Sequence, residues 1–144
     1  TMEWFINVLK PFIDTRFRTL PDRQHTFISG SSMGGLMTLY ALLMHNDVFS
    51  RGAALSPTLD IDIDQLCQMI QEAELTPDTV LYMDYGRREF DYEHWSRNNF
   101  VRAAQLLGSK DILLSTRLVP EGEHNEASWE KQLPFAIPTL MYNI

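Results

Sequence analysis

The sequence has little of what disulfide scaffolds, membrane spans and nucleic-acid sites require. Cys67 is the only cysteine, so no internal disulfide can form, which is typical of a reducing compartment. The formal net charge is −7 and the basic residues form no run, so neither nucleic acid nor an anionic membrane is expected as a partner. The longest apolar run, residues 36–44, contains Thr38 and is far too short to span a bilayer.

Signals for secretion and for metal binding are also missing. No signal-peptide pattern opens the chain, and together with the single cysteine this favours a cytoplasmic location. Asp60, Asp62 and Asp64 alternate like part of a calcium loop, but the glycine and the distal glutamate of such a loop are absent. No His, Cys, Asp and Glu cluster falls at metal-ligand spacing, so we expect neither a metal nor a cofactor.

What the sequence does contain is a regular alternation of helical and strand-like segments. At 144 residues the chain has the size of one domain and is long enough to bury roughly 70% of its unfolded surface. The alternation predicts an α/β fold in one unit over residues 1–144, with a three-layer, mainly parallel sheet and flanking helices. Pro11 is expected to kink or divide the first helix. The predicted strands are 25–29, 52–56, 80–85 and 112–119, and the predicted helices are 4–13, one reaching about 45, 61–73, 92–107 and one from about 127.

A Gly-x-Ser-x-Gly motif, Gly30 to Gly34, lies where the first predicted strand meets the next helix. A serine hydroxyl is a poor nucleophile unless a sharp turn holds it exposed beside a base, so Ser32 is the candidate nucleophile at the apex. We expect glycines at 30 and 34 because such a turn leaves no room for side chains. The Met33 N–H is the candidate oxyanion donor. A glycine-rich turn without chemistry is the alternative.

The partners of the serine are expected just after later strands, because ligands bind beyond the carboxyl ends of parallel strands. In α/β-hydrolases the order along the chain is nucleophile, acid, histidine. His124 follows the fourth predicted strand and is the candidate base. The remaining histidines are less well placed: they begin a strand, close a helix, or lie in the first turn of a helix, at His25, His45 and His94.

Three carboxylates near the end of the third predicted strand compete for the role of the acid. Glu89 lies in the loop with a long reach and is favoured. Asp84 is still within the strand and is expected to point sideways, and Asp91 has a sufficient structural role as a helix N-cap. Trp95 and Trp129 flank the acid and histidine loops and could wall a substrate pocket, although helix positions favour core packing.

Three motifs resemble those of a known family. Lys10-Pro11-Phe12-Ile13-Asp14, the elbow from Gly30 to Leu36, and His124-Asn125-Glu126-Ala127-Ser128-Trp129 are similar to the putative-esterase family of α/β-hydrolases. This family includes enterochelin esterase-like, esterase D-like and feruloyl esterase-like enzymes. The resemblance runs from about residue 10 to 134 and implies Ser32 as nucleophile, His124 as base and Glu89, in its Gly-x-x-Glu position, as acid.

The resemblance implies a serine esterase whose substrate is a small-molecule or carbohydrate-linked ester. Family members carry a further N-terminal portion with the first strands and a second oxyanion donor, which this chain lacks. We therefore expect this chain to be the C-terminal portion of the fold, weakly active alone, and to need that segment as a partner. Self-association is left open. The alternatives are an acyltransferase, a polysaccharide-associated acyl esterase, and a non-catalytic interaction module that keeps the fold.

Overall fold

Four parallel strands form the sheet. The computed structural model of the chain describes residues 1–89 and 94–144, and of residues 94 and 95 the backbone alone. The strands pair in the order β1-β2-β3-β4, and every neighbouring pair is parallel. This confirms the predicted sheet, with strand ends that differ from the predicted ones by at most two residues. The strands are β1 Phe27–Ser31, β2 Arg51–Leu55, β3 Val80–Gly86 and β4 Leu113–Val119.

Helices precede the sheet, connect its strands and follow it. A π-helical stretch, Phe5–Leu9, joins the first two α-helices, and a short 3₁₀ turn, Arg23–His25, leads into β1. The single predicted C-terminal helix is two helices. The α-helices are α1 Met2–Trp4, α2 Lys10–Arg16, α3 Met33–Met44, α4 Ile63–Glu72, α5 His94–Leu107, α6 Glu126–Glu130 and α7 Leu133–Leu140.

The first helical segment accommodates Pro11 by a change of hydrogen-bond register. Pro11 has no N–H and lies in the first turn of α2, where a helix tolerates proline. Just before it, the Lys10 N–H donates to the Phe5 carbonyl, five residues back. The expected division therefore takes the form of a π-helical stretch, and the backbone stays helical from α1 to α2.

The sheet has a core on each face because successive strand residues point to opposite sides. On one face, Ala54 and Met83 pack with apolar side chains of α3, α4 and α5. These three helices share a face because right-handed crossovers between sequential strands place them there. On the other face, Ala53 and Tyr82 pack against α7. The predicted three-layer arrangement is confirmed.

The two central strands are buried along their whole length, whereas β1 lies at an edge of the sheet and is only partly buried. A groove of about 590 Å³ runs beside β1. Most of its lining is apolar and comes from the first helices, β1 and the C-terminal residues. The lining includes Phe5, Leu9, Ile13, Leu20, Phe27, Phe49, Met141 and Ile144.

The core position of α4 is testable with two identical substitutions. Ile70 is fully buried against the sheet, and Ile61, just before α4, is 64% exposed. Ile70→Ala is expected to lower the free energy of unfolding by about 2–5 kcal/mol because it opens a cavity. Ile61→Ala is the control and is expected to change it by less than about 0.5 kcal/mol. Urea unfolding measures both; equal losses would contradict this packing.

Candidate active site

The carboxyl edge of the sheet gathers the predicted catalytic residues. Ser32 directly follows β1, Glu89 lies three residues after β3, and His124 lies five residues after β4. Because all four strands are parallel, their carboxyl ends lie at the same edge. Loops that are far apart in the sequence therefore meet there.

The backbone of Ser32 forms the sharp turn that the motif predicts. Its φ of 56° and ψ of −120° lie in a region that residues other than glycine rarely adopt. Two backbone hydrogen bonds hold it there. The Ser32 N–H donates to the Leu55 carbonyl at 2.9 Å, and the Ser32 carbonyl accepts from the Thr58 N–H at 3.1 Å. The strained turn is thus fixed by β2 and the loop that follows it.

The two glycines of the motif differ in the space that a side chain would have. A Cβ at Gly30 would lie 2.6 Å from the Gly34 carbonyl carbon, so the close approach at this position requires glycine. The expectation of no room at Gly34 is wrong, because a Cβ there would meet no heavy atom within 4 Å. It is the backbone of Gly34 that approaches Gly30, while the Cβ direction of Gly34 itself is open.

A chain of hydrogen bonds connects the three candidates. His124 Nε2 lies 2.8 Å from Ser32 Oγ, and His124 Nδ1 lies 2.7 Å from Glu89 Oε2. Both distances are those of hydrogen bonds. The Glu89 side chain is fully buried and the His124 side chain is 23% exposed. The series of hydrogen bonds therefore opens to solvent toward Ser32 and is closed at Glu89. Sequence order predicted this set, and its catalytic role stays a prediction.

The buried Glu89 carboxylate is held through both of its oxygens. Oε2 faces His124, and Oε1 accepts from the Gly86 N–H at 2.7 Å and from the Ser56 hydroxyl. A buried carboxylate needs such donors, because leaving water without replacement hydrogen bonds costs several kcal/mol. This environment keeps the carboxylate in one orientation toward the imidazole.

Asp84, one alternative acid, has a different environment. It lies within β3, as expected, and is 1% exposed. Its Oδ1 accepts from the Ser56 N–H and its Oδ2 from the Tyr82 hydroxyl, each at 2.9 Å. Burial raises the pKa of Asp84 to about 6. Of these two carboxylates, Glu89 is the one hydrogen-bonded to His124 Nδ1. Asp91, the third alternative, lies outside the described residues.

Met33 is the first residue of α3, directly after the turn. Its backbone N–H belongs to the end of the helix that carries partial positive charge. The role of this N–H as oxyanion donor stays a prediction. The Met33 side chain is half exposed, so it does not bury the turn.

The other histidines with described side chains lie elsewhere. His25 precedes β1 and so lies at the opposite end of that strand from Ser32. Its Nδ1 lies 2.8 Å from Asp22 Oδ1. His45 directly follows α3, as expected. The side chain of His94 lies outside the described part of the chain.

A cavity of about 130 Å³ adjoins Ser32. Sequence reasoning missed its contribution from the loop after β2, although the rule of strand ends pointed to that loop as well. In this loop the Thr58 hydroxyl lies 3.3 Å from Ser32 Oγ. The lining residues are Ser32, Pro57, Thr58, Leu59, Asp60, Tyr85, Glu89, Ser96 and His124.

Trp129 packs in the core, as its helix position favoured, and also contacts His124, whereas its role as a wall of a substrate pocket stays a prediction. Its ring meets the His124 ring edge-on, with centroids 5.0 Å apart and planes at 86°. The same side chain packs against the core cluster of Leu55 and Tyr82. The side chain of Trp95 lies outside the described residues.

The alternating aspartates have separate partners. Asp60 accepts from Ser96 and Asn99, Asp62 caps α4, and Asp64 pairs with Arg102. Within residues 1–89 and 94–144, no group of three or more His, Cys, Asp or Glu residues could hold a metal ion. In the same part of the chain, no helix is both long and apolar enough to cross a membrane.

Comparisons with known proteins agree with this fold. Residues 3–140 match the family described as Putative esterase, and the chain belongs to that family. No curated protein sequence matches the chain.

Solved structures share the fold at low identity. The enterobactin esterase FES of Shigella flexneri, in the presence of enterobactin, has a TM-score of 0.81 at 19% identity over 97% of this chain and 37% of its own. An IroE-like serine hydrolase of Shewanella oneidensis gives 0.79 at 20% identity, over 94% of this chain and 45% of its own. A ferulic acid esterase has a TM-score of 0.79 at 20% identity, over 96% of this chain and 60% of its own. The chain thus spans 37–60% of the length of these structures.

The raised pKa of Asp84 predicts a pH-dependent stability. Burial is the largest cause; Glu89 adds to the rise, while Arg117 and the hydrogen bonds from Ser56 and Tyr82 oppose it. A carboxyl with a folded pKa of about 6, above its ordinary 3.8, favours folding at low pH and loses that contribution as pH rises through 6. The rise of this pKa from 3.8 to about 6 corresponds to about 3 kcal/mol of folding free energy.

Asp84→Asn removes this ionisation while keeping an oxygen acceptor for the Ser56 N–H. The stability of the variant relative to wild type is therefore expected to rise between pH 4 and pH 7.5. Urea unfolding at several pH values measures the difference. A difference that is constant with pH would contradict a raised pKa for Asp84.

Proposed function

We propose that the protein is a serine carboxylic-ester hydrolase that works through an acyl-enzyme. The observation that carries this proposal is the hydrogen-bonded chain from Ser32 through His124 to the buried Glu89. Family membership supports the same reaction class. A serine on a strained turn, a histidine at 2.8 Å and a carboxylate behind it are the elements of nucleophilic acyl transfer.

The acylation half begins when Ser32 Oγ attacks the ester carbonyl carbon. His124 Nε2, at 2.8 Å, accepts the serine proton as the bond forms. The carbonyl oxygen becomes an oxyanion, for which the Met33 N–H at the start of α3 is the proposed donor. The intermediate collapses, the alcohol leaves with the proton from His124, and the acyl group remains on Ser32.

The deacylation half uses water in place of the serine hydroxyl. His124 accepts a proton from the water as its oxygen attacks the acyl carbon, and then returns that proton to Ser32 Oγ. Glu89 accepts the Nδ1–H of His124, which fixes the tautomer whose Nε2 accepts the serine proton and stabilises the imidazolium. The products are the carboxylic acid and the original enzyme.

The proposed substrate is a small-molecule or carbohydrate-linked ester. The structural relatives include proteins described as an enterobactin esterase and a ferulic acid esterase, at no more than 20% identity. The cavity of about 130 Å³ beside Ser32 has space for a small group next to the reacting serine. An acyltransferase would use the same residues with an alcohol in place of water.

The proposed partner is a further segment of the same polypeptide that adds strands beside β1. Two observations support it: the groove of about 590 Å³ at the β1 edge is mostly apolar, and the related structures are longer than this chain. An uncovered strand edge beside apolar side chains is prone to unwanted pairing. In this proposal the added segment covers the groove and supplies the second oxyanion donor.

The proposed triad is tested by reaction with a fluorophosphonate, which labels activated serines whatever the natural substrate. Ser32→Ala is expected to abolish labelling because it removes the nucleophile. His124→Ala and Glu89→Gln are expected to lower the labelling rate by about 10³-fold or more, because they remove the base or its tautomer control.

His25→Ala is the matched control, since His25 also pairs with a carboxylate, Asp22, but at the opposite edge of the sheet. It is expected to leave the labelling rate unchanged. A folded wild-type protein that does not label would contradict the hydrolase proposal and favour a non-catalytic interaction module.

The proposed segment is tested by comparing the 144-residue chain with a polypeptide that also carries the added strands. The shorter chain is expected to label about 10²–10³-fold more slowly, because it lacks one oxyanion donor. It is also expected to self-associate, and Leu20→Asp in the groove is expected to reduce this, since Leu20 is 62% exposed. Equal labelling rates would contradict the proposal.

A further inference from the structure

The Ser56 side chain occupies an unusual position behind the candidate active site. Ser56 directly follows β2 and is 2% exposed. Its hydroxyl donates to Glu89 Oε1, on the side of the carboxylate away from His124. The hydroxyl is therefore hydrogen-bonded to the acid of the proposed triad.

The backbone of Ser56 is strained, and the strain is held in place. Its φ of 42° lies in the left-handed region, which favours glycine and is unfavourable for serine. The Ser56 N–H donates to Asp84 Oδ1 at 2.9 Å. Asp84 is itself fixed on β3, with its other oxygen bound by the Tyr82 hydroxyl. A rigid central strand thus determines where the Ser56 hydroxyl points.

Glycine would adopt this backbone conformation with less strain but would offer no hydroxyl. A serine held in a glycine-like conformation with its hydroxyl on the acid indicates a role for that hydroxyl. Glu89 Oε1 has the Gly86 N–H as one donor at 2.7 Å, and Ser56 supplies a second from a different strand end. Two donors from two directions prevent the carboxylate from rotating away from His124.

We propose that Ser56 is a positioning residue that acts through Glu89: its hydroxyl holds the carboxylate in the orientation that presents Oε2 to His124. This deepens the proposed esterase function and rests on it. The end of β2 and the loop after it thereby have two tasks, since their backbone also holds the Ser32 turn through Leu55 and Thr58. The nucleophile and the acid are aligned from the same short stretch of chain.

Two variants separate the hydroxyl from the backbone conformation. Ser56→Gly and Ser56→Ala both remove the hydroxyl, but alanine keeps the strain at a φ of 42° and glycine relieves it. Ser56→Ala is therefore expected to melt at a lower temperature than Ser56→Gly. Both are expected to label with a fluorophosphonate about tenfold to a hundredfold more slowly than wild type, by similar factors.

Ser50→Ala is the matched control. Ser50 is also a buried serine, 1% exposed, and its hydroxyl donates to the Gln24 carbonyl. It lies just before β2, at the opposite end of that strand from Ser56. It is expected to label at the wild-type rate. A second measurement, the NMR signal of the His124 Nδ1 proton, reports directly on the bond to Glu89. This signal is expected to move or broaden in both Ser56 variants and to stay unchanged in Ser50→Ala.

The outcomes are distinct. Wild-type labelling in both Ser56 variants would overturn the proposal, and so would a loss confined to Ser56→Ala, because that loss would follow the backbone strain. If wild type itself does not label, the esterase function fails, and the NMR signal decides the role of Ser56. A changed signal in Ser56→Gly then supports positioning of Glu89, and an unchanged signal overturns it.

Discussion

The turn at Ser32 is the constraint on which the rest of the site depends. A serine with a φ of 56° is costly in isolation, and here it is held by hydrogen bonds to Leu55 and Thr58 on the neighbouring strand end. The turn points the hydroxyl toward His124 and begins α3 at the next residue. A change that relaxed this turn would move the nucleophile and the first N–H of the helix together.

Behind the histidine, two buried carboxylates lie in one polar network. Glu89 and Asp84 are both at most 5% exposed, and Ser56 joins them, through its hydroxyl to one and its N–H to the other. Burial raises the pKa of Asp84 to about 6, so this carboxyl takes up a proton at a higher pH than an ordinary aspartate does. The cost of burying charge is offset by fixed donors, which also fix the geometry.

The sequence predicted the sheet well for a physical reason. The central strands are buried on both faces, so they read as short apolar runs ended by glycine or proline, as in Val80–Gly86 before the acid loop. The elbow motif and the rule of strand ends predicted Ser32 and His124 as site residues. In the structure, His124 Nε2 lies 2.8 Å from Ser32 Oγ. Their catalytic roles stay predictions.

Other features had a weak signal in the sequence or none. Loop position and reach favoured Glu89 over Asp84, but the contact with His124 depends on the path of the chain after β3. Contacts with the next loop fix that path, such as the hydrogen bond from the Arg88 N–H to the Gly122 carbonyl. The left-handed conformation of Ser56 could not be read from a serine, because serine adopts extended backbone far more often. Room at Gly34 depends on the direction of its missing Cβ, which only coordinates reveal.

The central claim is that Ser32 is the activated nucleophile of this site. The most direct measurement is peptide mapping by mass spectrometry after the folded protein reacts with a fluorophosphonate. The account predicts one adduct per chain, on the peptide that contains Ser32, and loss of that adduct in His124→Ala. An adduct on any other serine, or none in a folded protein, would contradict it.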